Sequence, residues 1–205
     1  MTNPAPKYQP TDDRRRAIAA AARSLIFEKG FEGLRTREIA DRVGINIATL
    51  HYHVPTKEAL IELVTQSMKA DFIAQHMRRS REGLSPLAQL EMQIEEFREL
   101  RDENPELLQV MDELTRRSRH DENAARHIHP LRARWHQQFV DILVAGVADG
   151  TFRADLDPVG AASMVIGSLI VTSINFQAGE DSLDRVTAEL FRAILSDEAK
   201  GKRHV

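Results

Sequence analysis

The chain has 205 residues and a formal net charge of −3, and 42% of its residues are hydrophobic but only 5% aromatic. This length allows a substantial buried core in one or two small domains, and the composition is typical of a globular, mainly helical protein. The absence of cysteine excludes disulfides, thiolate zinc sites and a cysteine nucleophile, and the absence of a bilayer-length apolar run or a signal-peptide core predicts a cytoplasmic protein.

The first predicted elements are an arm and a helix. Residues 1–11 are polar and contain three prolines, so we expect a disordered arm. A helix is predicted from about Thr11 to Lys29, where Gly30 ends it, and its apolar stripe consists of Ile18, Ala21, Ala22, Leu25 and Ile26. Arg14, Arg15 and Arg16 near its start suit either phosphate attraction or a solvated charge run.

Residues 36 to 57 contain two short amphipathic helical patterns that are hinged at Gly44. We expect Thr36 to cap the first helix, Gly44 to adopt positive φ and Asn46 to cap the second helix. In the second helix only Leu50 and Val54 have the spacing of strong core anchors, so its other residues are free to face outward. The layout predicts a helix-turn-helix, although glycine and periodicity alone would also permit a helical hairpin inside a bundle.

The motif resembles the N-terminal domain of the TetR family of transcriptional regulators over about residues 12 to 65. The matching residues read Thr36-Arg37-x-Ile39-Ala40-x-x-x-Gly44-Ile45-x-x-x-Thr49-Leu50-x-Tyr52-His53, and Val54 to Glu58 continue the match. His51 departs from the family pattern, which prefers tyrosine at that position. The remaining two thirds of the chain resemble the family only in their helical layout.

The resemblance implies which residues bind DNA. Arg37 matches a position from which family members reach a base, with a solvent-exposed or purely phosphate-binding arginine as the alternative. Thr36, Thr49, Tyr52 and Lys57 match positions that bind base edges or phosphates. The apolar start of the second motif helix favours contact with a thymine methyl group or, equally, packing against the neighbouring helix. The full predicted DNA-binding set is Thr36, Arg37, Asn46, Ile47, Ala48, Thr49, His51, Tyr52, His53 and Lys57, with a structural role as the alternative for His53.

Periodicity predicts six further helices, and we therefore expect an all-α fold of about nine helices. A helix capped by Thr56 runs to about Arg79, and others follow over about 87–103, 105–118, 122–149, 159–176 and 182–196. We predict a three-helix helix-turn-helix DNA-binding domain over residues 12–58, a helical effector-binding and dimerisation domain over 59–198, and a tail over 199–205.

The C-terminal domain is expected to dimerise and to bind a ligand. Because one helix pair reads few base pairs, family members dimerise to read two half-sites, and the two last predicted helices resemble the family's four-helix dimer bundle. The candidate dimer residues are Met164, Gly167, Ser168, Ile170, Leu190, Phe191 and Ile194, which could alternatively serve only the monomer core. Each candidate for a mainly apolar effector pocket could alternatively be an ordinary core residue, and the candidates are Met92, Phe97, Leu107, Met111, Trp135, Phe139, Ile142, Asn175 and Phe176.

Other polar clusters point to no cofactor or metal. Ligating histidines usually stand three or four residues apart, whereas His129 and His136 are seven apart. We interpret the acidic residues of the fifth predicted helix as a solvated face, and these are Glu95, Glu96, Glu99, Asp102 and Glu103.

The charge distribution agrees with DNA contact at one end of the chain. Residues 1–60 carry 10 Lys and Arg against 7 Asp and Glu, so this part is basic within an acidic chain. We expect a homodimeric DNA-binding regulator, most often a repressor in this family, that a small hydrophobic effector releases from double-stranded operator DNA. A ligand-independent architectural DNA-binding protein is the alternative, and an all-α enzyme is a more remote one because the chain has no glycine-rich phosphate loop or nucleophile elbow.

Overall fold

A computed structural model describes residues 11–174 and 182–203, and the all-α prediction is confirmed. The helices are α1 (Thr11–Lys29), α2 (Thr36–Val43), α3 (Ile47–His53), α4 (Lys57–His76), α5 (Pro86–Glu103), α6 (Pro105–Arg117), α7 (Glu122–Ala148), α8 (Pro158–Ile174), α9 (Ser182–Ile194) and α10 (Asp197–Arg203), with a 3-10 helix at Phe31–Gly33. The described residues contain no strand, only an isolated antiparallel bridge between Phe152 and Leu195. None of the described helices combines the length and apolarity needed to cross a bilayer.

Helix boundaries follow local sequence signals closely. Thr56 caps α4, because its Oγ1 accepts a hydrogen bond from the Ala59 amide at 3.1 Å, and Asn104 caps α6 by accepting from the Leu107 amide at 3.3 Å. Gly150 follows the end of α7 with a φ of 81°, in the left-handed region that is common just after a helix. Two elements were not predicted: the 3-10 helix and α10, which occupies most of the segment expected to be a tail. The predicted arm lies outside the described residues except for Thr11.

The chain forms two compact units. The first contains the described residues up to Gln75 together with Asn104–Pro130. Its core lies where α1 packs against α2 and α6, and it is made from Ile18, Ala22, Leu25, Ile26, Ile39, Leu50, Val110 and Leu114, all of them buried. This unit therefore joins α6 to the helix-turn-helix, an association that the periodicity of the sequence does not indicate.

The second unit contains His76–Glu103 and the described residues from Leu131 onward. In it α8 packs against α5 and α9, and buried side chains include Leu90, Phe97, Phe139, Leu143, Val165, Leu169, Leu183 and Ile194. Gly146 permits close packing in this core, because a Cβ built there would lie 2.1 Å from the Phe152 ring.

The interpretation of the acidic residues of α5 as a solvated face is wrong for Glu96. Its residue is only 7% exposed, and both of its carboxylate oxygens accept hydrogen bonds from the Arg81 guanidinium at 2.6 Å. Glu99 pairs with Arg79, and Glu103 lies 3.8 Å from Arg78. The connection before α5 thus supplies arginines at the spacing of the α5 carboxylates, and this pairing makes burial of Glu96 possible.

Candidate nucleic-acid interface

The turn between α2 and α3 has the predicted backbone geometry. Gly44 lies in the left-handed region, with φ 73° and ψ 37°, and the Ile45 amide donates to the Ala40 carbonyl at 3.0 Å. A side chain at this φ is strained, so glycine suits the position. Ile45 is half-buried beside the turn.

The structure confirms one of the two predicted helix caps of the motif and contradicts the other. Asn46 caps α3 as predicted, because its Oδ1 accepts a hydrogen bond from the Thr49 amide at 2.8 Å. The prediction that Thr36 caps α2 is wrong: Arg35 occupies the cap position without a side-chain hydrogen bond, and Thr36 is the first residue inside the helix. Its hydroxyl group is therefore exposed beside the first amides of α2 rather than engaged by them.

Helix α3 rests on few side chains and presents the others to solvent. Leu50 and Val54 are 1% and 5% exposed, whereas Ile47 is 43% and Tyr52 is 82% exposed. An apolar and an aromatic side chain this exposed on a seven-residue helix contribute little to the core of the chain. The predicted set divides into exposed Thr36, Arg37, Asn46, Ile47, Ala48, His51, Tyr52 and Lys57 and half-buried Thr49 and His53.

The cations near this surface differ in how they are engaged. Arg37 is exposed in the first turn of α2 and has no hydrogen bond or ion pair with residues 11–174 and 182–203. The Lys57 Nζ lies 4.9 Å from the centroid of the Phe31 ring. Arg15 donates from its guanidinium to the His53 carbonyl at 3.1 Å, which fastens the end of α3 to α1.

His53 is half-buried at the end of α3. Burial lowers the pKa of its imidazole, and the positive charges of Arg15 and Arg14 lower it further. Its ring also contacts that of Tyr52 edge-on, with centroids 5.1 Å apart. These contacts favour the structural alternative for His53.

The predicted effector residues are spread over both units. In the second unit, Phe97 and Trp135 stack at 6.2 Å between centroids, and Trp135 meets Phe139 edge-on at 5.8 Å. Phe139 and Ile142 are buried there, and Met92 is half-buried. Leu107 and Met111 belong to the first unit, and Asn175 and Phe176 lie outside the described residues.

Two surface cavities lie away from the residues that are predicted to bind the effector. One of about 970 Å³ is lined by charged residues of the first unit, among them Glu32, Arg117 and Asp121. The other, of about 840 Å³, is a groove in the second unit beside Met164, Val186 and Leu190. Neither is lined by any of the residues predicted for the effector pocket.

The predicted dimer residues fall into two groups. Met164 and Gly167 are exposed and Ser168 and Ile170 are half-buried on α8, where Val159 and Val171 are also more than half exposed. Leu190, Phe191 and Ile194 are buried in the core of the protomer, 6%, 4% and 0% exposed. Phe191 and Ile194 therefore have no free surface for a second copy, which corrects their assignment, and Leu190 offers only the edge that lines the groove.

Two of the three histidines of α7 lie beside hydroxyl groups. His129 Nε2 lies 3.2 Å from Ser118 Oγ, and His136 Nε2 lies 3.0 Å from Ser163 Oγ. Among the residues that the structure describes, no group of three or more histidine, aspartate or glutamate side chains has an arrangement suited to a metal ion.

Comparison with known proteins gives matches over most of the chain. Residues 18–64 match the family model for bacterial regulatory proteins of the tetR family, and residues 86–170 match the model for the C-terminal domain of BetI-type transcriptional repressors. The HTH-type transcriptional repressor KstR2 of Rhodococcus jostii is 25% identical over 154 residues, which cover 72% of this chain and 75% of the relative.

Solved structures show the same fold. A TetR-family transcriptional regulator from Agrobacterium tumefaciens aligns with a TM-score of 0.79 at 17% identity, over 91% of this chain and all of that one. The ketosteroid transcriptional regulator KstR2 of Mycobacterium tuberculosis aligns with a TM-score of 0.68 at 20% identity, over 90% of this chain and 96% of that one.

Proposed function

The chain belongs to the TetR family of bacterial regulatory proteins, and from this premise we propose that it is a homodimeric repressor that a small, mainly apolar effector releases from operator DNA. Membership makes it a DNA-binding transcriptional regulator and not an enzyme. The relatives named KstR2 are repressors, which favours repression over activation. We place its action in the cytoplasm, within reach of operator DNA.

The observation that carries the proposal is the outer face of α3. A short helix that is anchored by Leu50 but exposes Ile47 and Tyr52 is suited to a major groove, which accepts an α-helix and presents base edges and thymine methyl groups. We assign Arg37 to a guanine edge, because its guanidinium is exposed and unengaged among the described residues. Thr36 and Lys57 are assigned to phosphates, which fix register without reading sequence.

The proposed dimer uses α8 and the groove beside α9. Met164 and Val171, seven residues apart and so on one face of α8, have apolar side chains in solvent, as does Val159 at the start of the helix. A Cβ added to Gly167 would meet no atom within 4 Å, so a second backbone can approach closely. Two copies related by a two-fold axis would present two α3 helices to half-sites about one helical turn apart. We propose DNA-binding residues within 12–58 and dimerisation within 59–198.

The effector is proposed to bind in the second unit near the aromatic side chains of Phe97, Trp135 and Phe139. Such a cluster suits an apolar or amphipathic molecule better than a sugar or a nucleotide. The effector weakens DNA binding only as far as it prefers a conformation in which the two α3 helices are wrongly spaced.

Fluorescence anisotropy with DNA from upstream of the gene, compared with a scrambled duplex, tests DNA reading. Arg37→Ala should weaken binding to the native sequence by about 1–3 kcal/mol and leave binding to the scrambled duplex nearly unchanged. Arg78→Ala is the matched control, because it removes an exposed arginine outside the motif. Equal loss on both duplexes would restrict Arg37 to phosphate contact, and equal wild-type affinity for both would support the architectural alternative.

Trp135 offers a direct test of the effector site, because it is the only tryptophan in the chain. Apolar molecules that release the operator should also change its intrinsic fluorescence, with the same midpoint concentration. Release of DNA without any change in Trp135 emission would place the effector elsewhere.

A further inference from the structure

Phe31 holds two cations on one buried ring. Its residue is 1% exposed, the Lys57 Nζ lies 4.9 Å from the ring centroid, and the Arg117 Cζ lies 4.3 Å from it. Both distances are within the range of cation–π attraction. Lys57 begins α4 immediately after the recognition helix, whereas Arg117 ends α6, so the ring connects two parts of the first unit that are distant in sequence.

The two cations are not equivalent in charge balance. The Arg117 guanidinium donates to Asp121 at 2.7 Å and to Glu32 at 2.5 Å, so its charge is compensated. Lys57 is exposed and has no ion pair within residues 11–174 and 182–203. Arg117 can therefore occupy the ring without strongly repelling Lys57, and the Lys57 charge stays available for a phosphate.

Helix α6 also binds the backbone just before the helix-turn-helix. Gln109 donates from its amide to the Phe27 carbonyl at 3.2 Å, and the Glu113 carboxylate accepts from the Phe31 amide at 3.2 Å. The Phe27 carbonyl lies in the last turn of α1 and the Phe31 amide begins the 3-10 helix, which are positions where these groups have no helical partner. Gln109, Glu113 and Arg117 recur every four residues and so share one face of α6.

The face of α6 extends one turn further towards its start. Glu106 accepts from the Arg23 guanidinium at 3.2 Å, and Arg23, whose side chain is 11% exposed, also donates to Ser67 and Asp71 of α4. The position of α6 thus determines the turn that contains Phe31 and, through the Phe31 ring, the place of the Lys57 ammonium.

We propose that Arg117 and Glu113 are positioning residues for DNA binding, which act on Lys57 through Phe31 without touching DNA themselves. This inference rests on the proposed function, in which Lys57 contacts a phosphate. It predicts that changes on α6 alter a phosphate contact made from the start of α4.

The test combines a measurement on the free protein with one on DNA. In the free protein, NMR should show the ε-methylene protons of Lys57 shifted upfield by the Phe31 ring. Arg117→Ala and Phe31→Leu, the second of which keeps an apolar side chain in the core, should both change this shift. Arg119→Ala is the matched control, since that arginine lies two residues further along the chain, is exposed, and forms no side-chain hydrogen bond or ion pair among the described residues.

On operator DNA, Arg117→Ala should weaken binding about fivefold and reduce the slope of log affinity against log salt by about one, as Lys57→Ala does. In a Lys57→Ala background, Arg117→Ala should have no further effect. An unchanged Lys57 shift in Arg117→Ala and Phe31→Leu, or effects of Arg117 and Lys57 that multiply, would overturn the proposal. Absence of wild-type binding to any duplex would refute the proposed function instead, while the Lys57 shift would still decide whether Arg117 positions it.

Discussion

The buried ion pair between Arg81 and Glu96 gives a sharp stability prediction for the second unit. Two hydrogen bonds of 2.6 Å join side chains that are 17% and 9% exposed. Arg81→Ala removes both of these charge-assisted hydrogen bonds from a carboxylate that lies largely away from water, while His76 Nδ1 stays 4.0 Å from Glu96 Oε2. Breaking a buried pair costs about 3–5 kcal/mol. Because Arg81 keeps some solvent contact, we expect a loss of about 3 kcal/mol in the free energy of unfolding, or about 6–12 °C in Tm for a chain of this size.

Urea unfolding followed by circular dichroism, at fixed protein concentration and at pH 7 and 5, measures this loss. Burial raises the pKa of Glu96 while Arg81 lowers it, so Arg81→Ala should raise this pKa further. A carboxyl group whose pKa is raised in the folded protein stabilises the fold when it is protonated, and this stability is lost as pH rises. The stability deficit of Arg81→Ala relative to the wild type should therefore be smaller at pH 5 than at pH 7.

Two control variants make the prediction refutable. Arg78→Ala breaks an exposed pair at 3.8 Å and should cost less than about 1 kcal/mol. The double variant Arg81→Met with Glu96→Leu should recover most of the lost stability, because no charge remains buried. A loss for Arg81→Ala no greater than that for Arg78→Ala, or the same deficit at both pH values, would contradict a buried charge pair at this position.

Four further outcomes are expected. Asn46→Ala should cost about 1 kcal/mol in thermal unfolding by removing the α3 cap, whereas Asn46→Ser should retain most of it. Gly44→Ala should cost about 1–2 kcal/mol through backbone strain alone, because no atom lies within 4 Å of the new Cβ; a neutral result in denaturant titration would contradict this. The lowered pKa of His53 gives stability that is present above the ordinary histidine pKa and lost as pH falls through the lower value, so from pH 7 to 5 the wild type should lose more stability than His53→Gln. Met164→Glu should shift the molecule from dimer to monomer in sedimentation velocity, and an unchanged dimer would exclude this face of α8.

Local signals made the helix-turn-helix predictable. A glycine that leaves a helix, an asparagine that caps the next helix and two apolar anchors four residues apart are all read within a dozen residues. The left-handed φ of Gly44, the Asn46 cap and the burial of Leu50 and Val54 confirm those predictions. The all-α architecture followed in the same way from helical periodicity.

The features that the sequence could not predict depend on contacts between residues that are far apart in the chain. The acidic residues of α5 predict a solvated Glu96, whereas the structure buries it against the Arg81 guanidinium, which comes from the connection before α5. The contact of Glu113 with the Phe31 amide joins residues 82 positions apart, and no pattern in either segment predicts it. Threonine is a common helix cap, but α2 begins at Thr36 itself, so the cap position belongs to Arg35.

Within the seven residues of α3, the side chain that anchors the helix is different from the side chains proposed to contact DNA. Since its hold on the domain depends mainly on Leu50, side chains such as Ile47, Ala48 and Tyr52 can be exchanged with little effect on the stability of the first unit. The operator preference of this protein should therefore be reprogrammable by combinatorial substitution of the outer face alone, with the scaffold left intact.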